Sequence, residues 1–264
     1  MRAFIEGVGV VGPGLDGWSA SRLLLAGEVE YHETPTMVAE CDLLPATERR
    51  RAGVPVRLAL AAGQEAFAGA GREAAATASV FASSSGDCEN VHHILEALAT
   101  SSREVSPMRF HNSVHNAAAG YWSIATRCRE ASTSISGHDA SFAAGLLEAA
   151  TQVATGCAVV LIAYDHPYPE PLNRVRPVRT SFGVALVLAP DATRNAVAAL
   201  DVEFAPRAGV ATRMPDPRLE AVRSGVPAAR SLPLLAALAR SSREATVLEY
   251  VEGTHLRVTV EPCV

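Results

Sequence analysis

The chain has 264 residues, 48% of them apolar and 19% charged, and carries a net charge of −5. That balance supports a buried core and excludes global disorder. All 23 basic residues are arginine, which excludes Schiff-base chemistry by lysine and the lysine of a phosphate-binding loop; beyond the local run Glu48-Arg49-Arg50-Arg51 there is no basic face for nucleic acid.

In chain order, Phe4 to Val11 reads as a glycine-threaded strand and Leu15 to Ala26 as a short helix. Residues 28–54 read as loop, and Val56 to Ala70 has helical spacing. Thr77 to Ser84 reads as a buried strand, Cys88 to Thr100 as a helix, and Asn112 to Thr126 as helical after the break at Ser106-Pro107. Ser132 to Ser136 is β-like, Asp139 to Ala154 an apolar helix, and Ala158 to Tyr164 a continuous apolar strand. Strands follow at Phe182 to Leu188 and Val197 to Phe204. Continuous apolar strands alternating with helices predict a mostly parallel α/β sheet covered on both faces. The prolines and glycines of residues 205–230 predict a linker. After it come a helix at Leu232 to Ala239 and a hairpin, Ala245 to Val251 and Leu256 to Val260, turning at Gly253.

Five widely spaced cysteines with no C-x-x-C predict neither a disulfide framework nor a zinc site. No signal peptide is apparent at the N-terminus, and no apolar run reaches the roughly 18 residues that span a bilayer; the expected location is cytoplasmic.

Several motifs admit two readings. Gly7-Val8-Gly9-Val10-Val11-Gly12 spells G-x-G-x-x-G, but Pro13-Gly14 delays the helix that a dinucleotide site needs, and a glycine-rich strand followed by a turn fits as well. His111 and His115 are four apart. One helix face would bring them together as a metal pair, though without a third ligand; alternatively Asn112 or Ser113 caps a helix start in a polar pocket. His92 and His93 are adjacent and would point apart on a helix. Asp165 and His166 end an apolar strand, where acid–base groups gather in α/β folds, yet prolines 167, 169 and 171 equally suggest a stiff loop.

The segment Ser134-Ile135-Ser136-Gly137-His138-Asp139-Ala140-Ser141-Phe142 runs from a β-like stretch into a helix. In this setting the sequence resembles the β-ketoacyl synthase family, N-terminal half. Phe4 to Gly12 looks like its opening strand, Leu43-Leu44-Pro45 with the arginine run like the entry to its first long helix, and Phe81 to Gly86 like its second strand. Ser106-Pro107 through Gly120 looks like the stretch leading to its dimer-face helix, and Ser134 to Gly145 like its nucleophile elbow. Ser113-Val114-His115-Asn116, with Tyr121-Trp122-Ser123-Ile124, is most similar to the chain-length-factor subunits of aryl-polyene and xanthomonadin-type pathways.

The resemblance implies a thiolase-like layered α/β fold: one complete βαβαβαββ half over residues 1–204, a linker at 205–230, and a helix–hairpin remnant at 231–264 packing on the same core. It also implies a heterodimer with an active β-ketoacyl-ACP synthase, reached by acyl carrier protein through the complex, with segments 108–126 and 132–142 at the interface. No cofactor or metal is implied. The departures are decisive for activity. Asp139 stands where the family has its nucleophilic cysteine, with His138 and Ser141 beside it. The only histidine beyond 166 is His255, in an order, Gly-Thr-His, unlike the family's catalytic loops.

A carboxylate with a pKa of about 4 leaves a tetrahedral intermediate more readily than a thiolate near 8.5, so acyl transfer to Asp139 collapses backward. No catalytic residue is therefore expected. Asp139 on this reading either keeps a chemical role or serves only as a helix cap. The interface and tunnel are expected to use Phe110, His111, Asn112, His115, Asn116, Tyr121, Trp122, Ser134, Ser136 and Phe142. For Phe110, Tyr121, Trp122 and Phe142, ordinary core packing is the alternative. The rival function is a stand-alone malonyl-thioester decarboxylase or acyltransferase using Asp139 with His138, His111 or His115.

Overall fold

A computed structural model describes residues 1–39, 41–206, 210–251 and 253–263. The elements in order are β1 (Arg2–Gly12), β2 (Leu15–Asp16), α1 (Trp18–Ala26), α2 (Ala46–Arg49), α3 (Val54–Ala70), β3 (Ala78–Ala82), α4 (Cys88–Ala99), α5 (Pro107–Asn112), α6 (Ala117–Thr126) and β4 (Ser132–Ile135). Then follow α7 (Ser141–Ala154), β5 (Val159–Asp165), α8 (Leu172–Val175), β6 (Phe182–Ala189), β7 (Ala198–Pro206), α9 (Pro217–Gly225), α10 (Leu232–Ala239), β8 (Glu244–Glu249) and β9 (Thr254–Pro262). One nine-stranded sheet runs β4-β3-β5-β6-β1-β7-β9-β8, with β2 paired to β1.

Helices cover both faces, and β5 shows why its sequence is apolar throughout. Val159, Leu161 and Ala163 enter the core shared with α7 and α10. Val160, Ile162 and Tyr164 enter the core shared with α3 and α6. A strand alternates its side chains between faces, so burial on both sides demands an unbroken apolar run. The sheet is mixed, however, and the mostly parallel expectation is corrected: among the described residues only β3–β4 and β3–β5 are parallel. The pairs β5–β6, β6–β1, β1–β7, β7–β9 and β8–β9 are antiparallel. An apolar run reports two-sided burial and carries no information on strand direction.

The glycines of the G-x-G-x-x-G run lie inside β1. A Cβ on Gly7 or Gly9 would overlap the Ala66 and Ala62 carbonyls of α3. These glycines admit the helix onto the strand, as the strand reading held. The loop reading of residues 205–230 is also revised. Asp216 caps α9, accepting from the Arg218 amide at 2.7 Å, and Pro217 occupies its first turn. A 3-10 turn, Ala228–Ser231, then leads into α10. Prolines that look like breakers here start helices. The tail shares the large core: Leu232, Leu235, Leu256 and Val258 pack with Leu161 and Leu186.

The two edges of the sheet differ. Next to β8, Thr212 donates its amide to the Val247 carbonyl at 2.9 Å and accepts the Val247 amide on its Oγ1 at 2.9 Å. Among the described residues no strand pairs with the outer side of β4.

Candidate functional site: the elbow at Asp139

The elbow is built by β4, a 3-10 turn over His138–Ala140, and α7. Gly137 precedes His138, whose backbone takes the left-handed conformation, φ 56°, uncommon for a residue with a side chain. Ser141 stitches the bend: its Oγ donates to the His138 carbonyl at 2.7 Å and accepts the Gly137 amide at 3.0 Å. Gly145, one turn on, lets α7 lie against the sheet, since a Cβ there would meet Ala82 Cβ at 2.7 Å and Leu161 Cδ1 at 2.8 Å.

The Asp139 carboxylate does not cap a helix. Ala140 holds the N-cap position of α7, and no side chain caps that helix or the turn before it. Instead Arg176 Nη2 donates to Oδ1 at 3.0 Å and Arg230 Nη2 to Oδ2 at 3.0 Å. The His138 Nδ1 lies 3.6 Å from Oδ1. Arg230 also bonds Glu249, which lies 3.8 Å from Arg223 Nη1; Arg223 in turn donates twice to Glu220, at 2.8 and 2.8 Å. Asp139 thus sits in a charge ladder that crosses the loop after β5, the turn before α10, β8 and α9. It is not buried: its side chain is 43% exposed. Burial lowers the Arg230 pKa. Burial also opposes the Arg176 charge, but hydrogen bonds to Tyr168 and Asp139 outweigh it and raise that pKa. A shallow cleft of about 230 Å³ opens beside Asp139, Arg176, Ser224 and Pro227.

Both carboxylate oxygens are engaged by guanidinium donors, an arrangement that stabilises a fixed charge and leaves a weak nucleophile. One consequence can be measured. Asp139→Cys is expected to gain the mass of one acyl group per chain on incubation with a reactive acyl thioester, because two neighbouring guanidiniums favour the thiolate. It is not expected to condense that group, since no histidine pair flanks the position. Intact-mass and product analysis check both halves.

Asp165 forms a second polar centre at the end of β5. Its Oδ1 accepts from the Ser84 amide at 2.8 Å, Ser84 Oγ at 2.6 Å and Ser83 Oγ at 3.3 Å; its Oδ2 accepts from the Ala228 amide at 2.8 Å. Burial pushes its pKa up to about 6 against these hydrogen bonds. The neighbouring His166 Nδ1 meets Ser181 Oγ at 2.7 Å, and burial lowers its pKa.

The other expected positions separate into groups. His115 Nε2 donates to the Ser83 carbonyl at 3.0 Å and Ser136 Oγ to the Ser84 carbonyl at 3.1 Å, so both meet the loop that Asp165 holds. Asn112 Nδ2 donates to the Arg51 carbonyl at 3.0 Å, and Tyr121 donates to Asn112 Oδ1 at 3.1 Å. His111 and His115 do not share a helix, because α5 ends at Asn112 and α6 begins at Ala117; the metal-pair reading is thereby removed. Among the described residues no group of three or more His, Cys, Asp or Glu is arranged to hold a metal.

Phe110, His111, Asn116 and Tyr121 line an outward groove of about 550 Å³ with Val114, Gly120 and Ile124. Ser134 lies on the edge strand. Trp122 is core, with Phe67 and Phe81 ring centroids at 5.8 and 6.5 Å, and Phe142 is packed in the opposite core. Of the four aromatics expected to supply bulk, Phe110 is the exposed one, at 66%. Sequence reasoning missed Arg176 and Arg230, which lie 37 and 91 residues from Asp139 and carry no local signal.

Among solved structures, the chain is similar to the ketosynthase (ApeO) in complex with its chain length factor (ApeC) from Xenorhabdus doucetiae, at 22% identity and a TM-score of 0.74, covering 98% of this chain and 99% of that one. It is similar to the ishigamide ketosynthase/chain length factor at 16% identity and a TM-score of 0.74, covering 100% of both chains. A β-ketoacyl synthase from Burkholderia phymatum STM815 matches at 17% identity and a TM-score of 0.61, covering 86% of this chain and 70% of that one. No curated protein matches the chain by sequence. Among the described residues no helix is long and apolar enough to cross a membrane. The layered α/β architecture is the thiolase-like one. The profile of the β-ketoacyl synthase N-terminal domain matches residues 18–249, and the chain belongs to that family.

Proposed function

We propose that this chain is a non-catalytic, chain-length-factor type subunit. It pairs with an active β-ketoacyl-ACP synthase and contributes to the wall of that enzyme's acyl tunnel in polyene or fatty-acid-type biosynthesis. The observation that carries the reading is the Asp139 carboxylate, fixed by Arg176 and Arg230 where the family has its nucleophile.

Two surface features support a partner. The β4 edge offers unpaired backbone groups to a second strand. Beside it α5, α6 and the turn between them expose Met108, Phe110, Val114 and Ile124, at 50%, 66%, 44% and 46%, a cluster that a monomer rarely leaves bare. Phe110 is the side chain we assign to tunnel length. Related complexes are described as a ketosynthase with its chain length factor, and as an acyl-carrier protein with its ketosynthase. On this reading acyl carrier protein reaches the present chain only through the complex.

Co-expression with an active-cysteine ketosynthase of the same family tests the proposal. The expected result is a 1:1 complex whose condensation activity is lost when the partner's cysteine is replaced and kept when Asp139 is changed to Asn. A monodisperse lone chain that decarboxylates malonyl thioesters, and loses that activity in Asp139→Asn, would establish the stand-alone enzyme instead.

A further inference from the structure

Residues 50–57, residues 87–90, Arg109 and His166 meet at a second cleft, of about 280 Å³, away from the elbow. Arg50 and Arg51 reach it from the turn after α2, Arg57 from the first turn of α3, and Arg109 from α5. Of the four, Arg51 has a carboxylate partner, Glu48 at 3.2 Å; the others have no ion pair among the described residues. The Nε of Arg57 is buried with no acceptor, an arrangement that costs free energy unless a ligand supplies one.

The wall also holds Asp87, Glu89 and His166. Asp87 caps α4, accepting from the Asn90 amide at 3.1 Å and Asn90 Nδ2 at 2.8 Å, and its Oδ2 also lies against Gly53 at the start of α3. With His166 neutral, four arginines against two carboxylates leave a net charge of +2 at the cleft. The 17-residue helix α3 begins at its rim with no side-chain cap, adding unpaired amides of the same polarity.

We propose that this cleft binds a phosphate group, as free phosphate or as a monoester. A phosphate dianion matches the net charge, and its tetrahedral oxygens can take donors from three directions, whereas a single planar carboxylate takes a two-pronged fork from one. The proposal is independent of whether the chain pairs with a synthase.

Isothermal titration of the purified chain, at fixed ionic strength set with chloride, tests it. Inorganic phosphate and glycerol phosphate are the two probes, and they separate the sources: tighter binding of glycerol phosphate points to a monoester, equal binding to free phosphate. The expected result is saturable uptake of one phosphate per copy of this chain. Arg109→Gln, on a half-buried side chain at the cleft mouth, is expected to weaken it about tenfold, and Arg57→Gln at least as much. Arg129→Gln, on the loop after α6, serves as the control and is expected to leave it unchanged. Should Arg57→Gln fail to fold, Arg109→Gln decides alone. Heats that do not saturate, or saturable binding that Arg109→Gln leaves intact, would overturn the assignment.

Discussion

At pH 7, replacing Asp165 by Asn is expected to cost ~2–3 kcal/mol of stability, and to lower the melting temperature by about 5–10 °C for a chain of this size. The number of donors around the carboxylate sets this cost. Two backbone amides, Ser84 and Ala228, point at opposite oxygens of a fully buried carboxylate, and two hydroxyls join them. Asparagine offers one oxygen and one NH2. Whichever way it turns, its NH2 confronts one of the amides, and a buried N–H is left unpaired. Hydroxyls can rotate to relieve the clash; amides cannot.

The same residue sets a pH dependence. Its folded pKa, about 6, lies above the ordinary 3.8 because burial disfavours the charge. The native state therefore holds this proton where the unfolded chain has released it. The stability so conferred is full below about pH 4 and is lost as pH rises through about 6, by up to ~3 kcal/mol. Urea midpoints of wild type and Asp165→Asn between pH 4 and 7 should converge as pH rises toward neutrality only in this contribution, the variant lacking that slope. A wild-type slope unchanged in the variant would assign the titration to other groups.

The second large effect concerns the edge of the sheet. Ser79 donates its amide to the Ala131 carbonyl at 3.0 Å and Ser83 to the Ile135 carbonyl at 3.2 Å. Residues 131, 133 and 135 therefore face β3, and in a parallel ladder the alternate residues, Ser132 and Ser134, turn their backbone groups outward. Ser134→Pro removes one outward N–H and leaves the inward ladder intact. If β4 pairs with the synthase, the variant is expected to bind it at least ~100-fold more weakly while its far-ultraviolet circular dichroism is unchanged, equivalent to about 2.7 kcal/mol. Ser134→Ala, which keeps the N–H, should bind normally. Equal binding by all three proteins would remove β4 from the interface.

How far the sequence reaches depends on the range of the interaction. The strands at β5 and β6 and the helix α7 were legible because burial on two faces or one stripe leaves a local period. The direction of strand pairing was not, since β1, β6 and β7 pair antiparallel through partners far apart in the chain. The elbow's position was legible from Gly137, Ser141 and the helix that follows. The reason for Asp139 was not: aspartate before a helix reads as a cap, and only the folded chain brings Arg176 and Arg230 to it. Asp165 read as a candidate acid–base group, yet its oxygens are consumed in tying the β3–α4 loop to the turn before α10. Phe110, Tyr121, Trp122 and Phe142 are alike as letters; the helix phase and the break between α5 and α6 turn only the first fully outward.

The most direct test of the central claim is an intact-mass measurement on both chains of the co-expressed complex after incubation with an acyl thioester. The account predicts an acyl adduct on the partner's cysteine and an unchanged mass for this chain. A stable acyl group on this chain, absent from Asp139→Asn, would contradict it.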